Sequence, residues 1–351
     1  MKSTKYTEEP LKMAFFGAKE YEKVYFDDIL AVKGEENFNI EIKYFATKLT
    51  EETAYLAAGF EAVCIFVNDD ASAKVLNILK AGGVRLLLLR CAGYNNVDMR
   101  AAILYGIKVL RVPSYSPHAV AEHAMAIISA ANRRIHKAYL RVKDNNFALR
   151  GLLGVDLYGK KAGIIGTGQI GRCMARICRG YGMDVIAWDV RPDWELEENG
   201  LLKYVTKENL FKEADLISLH APLVPGEKGT YHLINEEAIS LMKDTVMLVN
   251  TSRGGLIDTE ALIAALKEHK FQAVALDVYE GEDDNVYIDY SDVPICSDIT
   301  ARLMSFPNVI ITSHQAFFTR EALQEIAEVT LNNARNYQLG LSYGDSEVGR
   351  F

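Results

Sequence analysis

Arginine, carboxylate and histidine side chains follow three apolar segments in the second half of the chain, each at a predicted strand end. A guanidinium such as that of Arg253 can grip a carboxylate through two parallel hydrogen bonds. An imidazole such as that of His314 can donate or accept a proton near neutral pH. Glu280 and Glu282 lie on the same side of an alternating strand, but Gly281 between them can break that alternation. The residues alone therefore leave open which of the two acids joins the site.

A glycine-rich turn precedes these groups and predicts a dinucleotide site. Gly166, Gly168 and Gly171 form the pattern GTGQIG between a predicted strand and a predicted helix, and Asp189 lies 18 residues beyond the last glycine. The first glycine allows a tight turn, the second a close approach to a pyrophosphate, and the third close packing of helix on strand. A carboxylate at Asp189 would accept hydrogen bonds from the ribose hydroxyls and repel a 2′-phosphate. The pattern therefore favours NAD over NADP.

Two further strand ends carry candidate cofactor contacts. Asp277 is placed to accept a hydrogen bond from a nicotinamide carboxamide. His220 is placed to line the adenosine side of the cofactor. Both expectations follow from the rule that ligands of open α/β sheets bind beyond the carboxyl ends of the strands.

The elements that must position these groups alternate between short apolar strands and amphipathic helices. This alternation predicts an α/β fold with two doubly wound parallel sheets. A long helical segment from Pro117 to about Lys143 separates the two series, and a last helix from Arg320 to about Leu339 follows the second. The interval Gly281–Phe306 is expected to be a long irregular stretch, which is usually functional. The predicted strands are Lys12–Gly17, Phe38–Phe45, Ala62–Val67, Arg85–Arg90, Ile107–Val112, Lys161–Gly166, Asp184–Asp189, Asp215–His220, Thr245–Asn250, Ala273–Val278 and Asn308–Thr312.

Composition restricts the class of protein. The 351 residues are 49% hydrophobic, which is ordinary for globular domains and favours two of them. A net charge of −8 without a long basic cluster argues against nucleic acid as a partner. No apolar run is long enough to span a membrane, and the first residues show no uninterrupted apolar h-region or cleavage site, so we do not expect secretion. The five cysteines, including Cys296, lack metal-site spacing, so we expect reduced thiols, a cytoplasmic protein and no metal.

Taken in order, the motifs resemble those of the D-isomer-specific 2-hydroxyacid dehydrogenase family. The resembling segments are LRCAGYNNVD, VPSYSPHAVAEHA, GTGQIG, DLISLHAPL, VNTSRGGLID, LDVYEGE and SHQAFFT, which run from residue 89 to residue 319. The resemblance implies NAD-dependent hydride transfer between a 2-hydroxy acid and a 2-oxo acid. It also implies a flavodoxin-like, discontinuous substrate domain (1–113 and 315–351) and a Rossmann NAD domain (114–314), with the active site in the cleft between them.

The resemblance also assigns roles to individual residues. It implies that Arg253 binds the substrate carboxylate, that His314 is the acid–base residue, and that Glu282, not Glu280, pairs with it. Backbone N–H groups of Ala92 and Gly93 are implied to hold the carboxylate as well. Cofactor contacts are implied at Tyr115, Gln169, Ile170, Asp189, Ala221, Pro222, Thr230, Thr251, Ser252 and Asp277.

Within the family, the motifs are closest to those of the D-lactate dehydrogenases, which implies pyruvate as the oxo acid. The aromatic residues Phe66 and Phe317 are expected to restrict the pocket to a methyl group. A dehydrogenase for a larger 2-oxo acid and an NAD-sensing, corepressor-like protein are the alternatives. The family also implies a homo-oligomer, either a dimer or a tetramer.

Overall fold

The computed structural model describes residues 9–34, 38–226, 229–282, 286–295 and 297–349. The strands are β1 (Leu11–Phe15), β2 (Ile40–Tyr44), β3 (Ala62–Ile65), β4 (Leu86–Leu89), β5 (Lys108–Arg111), β6 (Lys161–Ile165), β7 (Asp184–Trp188), β8 (Lys203–Tyr204), β9 (Leu216–Leu219), β10 (Val246–Asn250), β11 (Phe271–Leu276) and β12 (Val309–Ile311). The α-helices are α1 (Glu20–Lys33), α2 (Ala73–Ala81), α3 (Met99–Tyr105), α4 (Pro117–Asn132), α5 (Ile135–Lys143), α6 (Gln169–Gly180), α7 (Trp194–Glu198), α8 (Lys207–Glu213), α9 (Glu236–Leu241), α10 (Thr259–Lys267), α11 (Asp298–Ser305) and α12 (Arg320–Leu339).

The chain divides into two compact units, and the first is discontinuous. The first unit comprises Met1–Ser116 and Phe318–Phe351, and the second comprises Pro117–Phe317. The chain passes from the first unit to the second after residue 116 and returns after residue 317. Each boundary lies three residues beyond the predicted one, which was 113 for the first and 314 for the second.

The first unit contains a five-stranded parallel sheet in the order β2-β1-β3-β4-β5. The edge strand β2 alternates between half-buried and exposed residues, as its sequence pattern predicts. The four leucines of β4 are all buried because apolar clusters cover both faces of the sheet, with Leu87 and Leu89 in one cluster and Leu86 and Leu88 in the other. Helix α12 returns to this unit and buries Ala327, Leu331 and Ala334 against the sheet. The prediction of a doubly wound parallel fold is confirmed here.

The second unit contains a seven-stranded parallel sheet in the order β12-β11-β10-β9-β6-β7-β8. Apolar clusters cover both of its faces. From β6 the strand order runs to one edge through β7 and β8, and from β9 it runs to the other edge through β10, β11 and β12. Ligands of such sheets bind beyond the strand ends at the point between β6 and β9 where the order reverses. The sequence predicted six strands here and missed β8, since a strand of two residues has no apolar pattern of its own.

The prediction of one long helix from Pro117 to about Lys143 is wrong. The segment forms α4 and α5, because Arg134 adopts a left-handed conformation with φ of 53°. The Arg134 guanidinium stabilises this break by donating to the carbonyl oxygens of Ala131 and Gln272, each at 3.1 Å. Helix α4 buries nine residues, whereas α5 buries none.

The sequence predicted an irregular stretch over the whole interval Gly281–Phe306. The structure differs from this prediction. It includes α11, which begins after Ser297, and the Ser297 hydroxyl accepts a hydrogen bond from the backbone N–H of Thr300. Such N-caps stabilise helices typically by about 1 kcal/mol. The predicted stretch was too long because a helix of two turns gives only a short periodic signal.

The cysteines and the helix lengths bear on the predicted class of protein. Cys64, Cys91, Cys173 and Cys178 are buried and free, and Cys296 lies outside the described residues. In the described part of the chain, every helix is too short or too polar to cross a bilayer.

Candidate active site

The glycine-rich turn joins β6 to α6, as predicted. Gly166 has a φ of 91°, and a Cβ there would lie 2.6 Å from the carbonyl oxygen of His220. A Cβ at Gly171 would lie 1.9 Å from the carbonyl oxygen of Gly166. Side chains are therefore excluded at both positions. In contrast, a Cβ at Gly168 would meet no atom within 4 Å, so the chain leaves open space there.

The residues around this turn fit a dinucleotide. Gly168 is the N-cap of α6, and Gln169 and Ile170 are its first two residues, so the positive end of the helix dipole lies at this open space. Asp189 directly follows β7, and its carboxylate accepts hydrogen bonds from the backbone N–H groups of Thr167 at 2.7 Å and Arg191 at 2.8 Å. The carboxylate is thereby fixed at the strand end where a ribose would bind.

Other predicted cofactor contacts lie on loops that follow β9 and β10. The Thr251 hydroxyl oxygen is buried without a hydrogen-bond partner among the described residues, so it is available to a ligand. The Ser252 hydroxyl donates to the carbonyl oxygen of Ala221 at 2.7 Å and joins the two loops. The Thr230 hydroxyl donates to the carbonyl oxygen of Pro222 and accepts from the Val224 N–H, so it closes its own loop. The contact of Thr230 with a cofactor stays a prediction.

His220 directly follows β9 and is neutral. Desolvation lowers the pKa of His220 to about 4, and the ring lies 2.8 Å from the Ser218 hydroxyl. A neutral imidazole brings no charge to this strand end. The contact of His220 with the adenosine side of a cofactor stays a prediction.

Arg253 extends from a turn that is fixed by buried hydrogen bonds. The side chain of the fully buried Asn250 donates to the carbonyl oxygen of Arg253 at 2.9 Å and accepts from the Ser252 N–H at 3.0 Å. The next residue, Gly254, has to be glycine, because a Cβ there would lie 2.3 Å from the carbonyl carbon of Tyr279. Among the described residues, the Arg253 guanidinium has no carboxylate partner and donates only to the carbonyl oxygen of Ser252. Its remaining donors are available to an anionic ligand.

His314 and Glu282 form a pair at the neighbouring strand ends. The Nδ1 atom of His314 lies 3.1 Å from Oε1 of Glu282, and both side chains are largely buried. Glu280 instead lies 2.8 Å from Nε2 of His232. Gly281, with a φ of 81°, turns the chain so that the two acids face different histidines. The pairing leaves Nε2 of His314 for a substrate.

Asp277 organises the loop that carries His314. It is fully buried, and its carboxylate accepts from the backbone N–H groups of Gln315 at 2.9 Å and Ala316 at 2.8 Å. The Thr312 hydroxyl also donates to it, and His123 lies 3.3 Å away. Burial by itself raises the pKa of Asp277, but these hydrogen bonds lower it below the ordinary value. The predicted contact with a nicotinamide carboxamide stays a prediction.

Sequence reasoning did not find His123 and Tyr287, which form hydrogen bonds with the loop that carries His314. His123 lies on α4, and Nε2 of His123 is 3.2 Å from the Thr312 hydroxyl. The Tyr287 hydroxyl donates to the carbonyl oxygen of His314 at 2.8 Å. His314 itself has a φ of 49°, which is uncommon for a residue other than glycine. No local pattern signals these contacts, since they join residues far apart in the chain.

The remaining residues of the predicted site, including the cofactor residue Tyr115, divide between the two units. In the first unit, the Arg111 guanidinium donates to the carbonyl oxygen of Ala92 at 2.9 Å, and the Cys91 thiol donates to that of Gly93 at 3.2 Å. Phe66 and Tyr115 also belong to the first unit. Phe317 belongs to the second unit and is only 7% exposed. The contacts of these residues with a ligand stay predictions.

Comparison with known proteins gives a consistent family. The profile described as "D-isomer specific 2-hydroxyacid dehydrogenase, NAD binding domain" matches residues 125–316. The D-lactate dehydrogenase of Escherichia coli is 49% identical over 330 residues, which cover 94% of this chain and 98% of that protein.

Solved structures agree with this comparison. The pyruvate reductase of Chlamydomonas reinhardtii has a TM-score of 0.88 and 39% identity, covering 95% of this chain and 98% of that one. The D-lactate dehydrogenase of Lactobacillus jensenii with NAD+ has a TM-score of 0.77 and 31% identity, covering 97% of this chain and 100% of that one.

Proposed function

Because the chain belongs to the D-isomer-specific 2-hydroxyacid dehydrogenase family of NAD-dependent enzymes, we propose that it reduces pyruvate reversibly to D-lactate. The observation that carries this proposal is the His314–Glu282 pair at the strand ends next to Arg253, whose guanidinium has no carboxylate partner in the described chain. These three groups provide an acid, a partner that orients it, and a binding group for the carboxylate of a 2-oxo acid.

The residues of the chain carry the following steps. Arg253 binds the substrate carboxylate and stabilises the negative charge that develops on the adjacent carbonyl oxygen. Bound NADH supplies a hydride to the carbonyl carbon. The protonated His314 donates its Nε2 proton to the carbonyl oxygen and becomes neutral, which yields the hydroxyl group of the product. Glu282 accepts a hydrogen bond from Nδ1–H throughout, so it fixes the orientation of the ring and keeps Nε2 directed to the substrate. In the reverse direction His314 is the base.

The substrate is tested by NADH oxidation across a panel of 2-oxo acids, with chiral analysis of the products. We expect the highest kcat/KM for pyruvate, with D-lactate as the product. Larger oxo acids should be used more slowly, because each additional methylene in a small pocket costs about 1–3 kcal/mol. A higher kcat/KM for phenylpyruvate or for a branched oxo acid would show that the enzyme acts on a larger substrate. Formation of L-lactate would contradict the assigned stereochemistry.

Replacing Glu282 with Gln should lower kcat for pyruvate reduction. Oε1 of Glu282 lies 3.1 Å from Nδ1 of His314, so the carboxylate orients the ring whose other nitrogen faces the substrate, and the amide would hold the ring less well. The loss is measured as kcat under saturating NADH and pyruvate. Glu280→Gln is the matched control, because Glu280 pairs with His232 and should leave kcat unchanged. A loss in the Glu280 variant alone would mean that the wrong acid has been chosen.

Replacing Asp189 with Ala should weaken the binding of NADH and reduce the discrimination against NADPH. The carboxylate stands at the end of β7, where it would face a 2′-phosphate with a like charge. Asp189→Asn separates the two effects, since Asn still offers an oxygen to the Thr167 N–H but carries no charge. We expect relaxed discrimination in both variants, measured as the ratio of kcat/KM for the two cofactors. Equal use of both cofactors by the unaltered protein would refute this role.

We expect the chain to form a homo-oligomer. Helix α5 buries no residue, and Tyr139 is 62% and Leu140 59% exposed. The segment that follows exposes Phe147, Leu149 and Leu153 by 73%, 82% and 88%. Exposed apolar side chains in such a row usually mark an interaction site. We expect light scattering to report a dimer or tetramer, and Leu149→Glu to release folded monomers. A monomeric unaltered protein at micromolar concentration would contradict this assembly.

The four buried free thiols in the described part of the chain favour a cytoplasmic location.

A further inference from the structure

An ion pair is buried in the first unit, at the end of β4. Arg90 is only 2% exposed, and its Nε donates to Oε1 of Glu22 at 2.7 Å. Glu22 lies on α1, is 8% exposed, and accepts a second hydrogen bond from the backbone N–H of Lys19 at 3.1 Å. Nη1 of Arg90 is buried and has no hydrogen-bond partner among the residues that the structure describes. Apolar residues of similar volume often replace such pairs without loss of stability, so stability alone does not explain the charges.

The Arg90 guanidinium lies over two aromatic rings. It is 4.4 Å from the ring centre of Phe15 and 5.1 Å from that of Phe66. The backbone of Phe66 is held separately, because its N–H donates to Asp69 at 2.7 Å and its carbonyl oxygen accepts from Asn96 at 2.9 Å. The backbone position of Phe66 is thus set by Asp69 and Asn96, and one face of its ring is covered by the guanidinium.

Arg90 is also the residue from which the Ala92–Gly93 loop begins. Phe66 and this loop are the first-unit groups predicted to contact the methyl group and the carboxylate of the substrate. We infer that Arg90 and Glu22 are positioning residues that restrict the size of the substrate, by holding the guanidinium plane against the Phe66 ring. This inference rests on the proposed function, since it assigns a task in selecting the substrate of that reaction.

The chemistry of arginine suits this task. A guanidinium is planar and meets a carboxylate at two points, so the contact with Glu22 fixes the direction of the plane. A plane fixed in this way supports an aromatic face, whereas a methionine in its place has three rotatable bonds and would let the ring move. A lysine would keep the charge but offer no planar surface. Without the guanidinium, the Phe66 ring can move back and make room for a larger oxo acid.

The test uses the whole enzyme and the double variant Arg90→Met with Glu22→Met. Replacing both partners leaves no unpaired charge of the pair in the core, and Asp69 keeps its two backbone donors. We expect the ratio of kcat/KM for phenylpyruvate to that for pyruvate to rise by about tenfold, the lower range for a change of one methylene in a pocket. The KM for pyruvate should rise more than kcat falls, and NADH binding should not change. Arg90→Lys should shift the ratio in the same direction.

A double-mutant cycle separates positioning from general loosening. Phe66→Ala should itself raise the ratio, and adding the Arg90 and Glu22 changes to it should raise the ratio no further, because the group through which they act is gone. Phe15→Leu is the matched control, since the ring of Phe15 contacts the same guanidinium. This control should lower thermal stability and leave the ratio unchanged.

Two outcomes would overturn the inference. One is an unchanged ratio in a double variant that is folded by circular dichroism. The other is an equal shift in Phe15→Leu, or a further full shift when the changes are added to Phe66→Ala, because either would trace the effect to loosening of the core. Failure of the proposed function looks different, since the unaltered enzyme would then reduce no 2-oxo acid with NADH.

Discussion

Replacing His314 with Gln or Asn should reduce turnover of pyruvate by about 10²- to 10⁴-fold, the usual contribution of a positioned acid–base group. Neither amide can donate a proton to the developing alkoxide and be regenerated at neutral pH. Asn is the better structural substitute, because His314 has a φ of 49° and Asn tolerates the left-handed conformation. The loop should stay in place, since Asp277 holds it through backbone groups that the substitution does not change. NADH binding, followed by fluorescence, should remain near that of the unaltered enzyme.

His232→Gln is the matched control for this experiment. His232 also has a positive φ, of 52°, and also pairs with a glutamate, Glu280, in the same unit. A general effect of removing a histidine–carboxylate pair would appear in both variants. We expect His232→Gln to keep its turnover while losing some thermal stability. Near-normal turnover in the His314 variants would remove His314 from the mechanism.

The sequence predicted the fold well because the relevant signals are local. A parallel strand buried on both faces, such as β4, is a short apolar run, and its pattern can be identified without knowledge of its neighbours. The turn after β6 is similarly local, since the positive φ of Gly166 and the 1.9 Å approach at Gly171 can be met only by glycine. These constraints follow from a few adjacent residues, so the residues themselves report them.

Other features depend on contacts that no local pattern reports. The break at Arg134 lies inside a continuous amphipathic segment, and it is stabilised by a hydrogen bond to Gln272, 138 residues away in the chain. The hydrogen bond between His123 and Thr312 likewise joins α4 to the loop after β12 that carries His314. The choice between Glu280 and Glu282 depended on the backbone of Gly281, whose φ of 81° turns the two side chains toward different partners. Residue types alone left that conformation undetermined.

Replacing Arg253 with Gln should lower kcat/KM for pyruvate by about 10²- to 10³-fold, within the range of 2–5 kcal/mol for removing one partner of a desolvated charge pair. The guanidinium would bind the substrate carboxylate by two parallel hydrogen bonds, and it also stabilises charge on the neighbouring oxygen. Both KM and kcat should therefore change. Arg253→Lys should lose less, because it keeps the charge and loses the second parallel hydrogen bond. Steady-state kinetics under saturating NADH measure both effects.

The neutral analogue pyruvamide tests whether the lost interaction is the one with the carboxylate. Pyruvamide has the same reacting carbonyl but no anionic group, so the unaltered enzyme should use it poorly and Arg253→Gln should impair it far less than pyruvate. Arg179→Gln is the control, since Arg179 is exposed at the far end of α6 and should leave both substrates unaffected. If Arg253→Gln impaired pyruvamide and pyruvate equally, Arg253 would act on the structure of its turn and not on the carboxylate. The buried hydrogen bonds from Asn250 fix that turn through backbone groups, so we expect the loss to be confined to the anionic substrate.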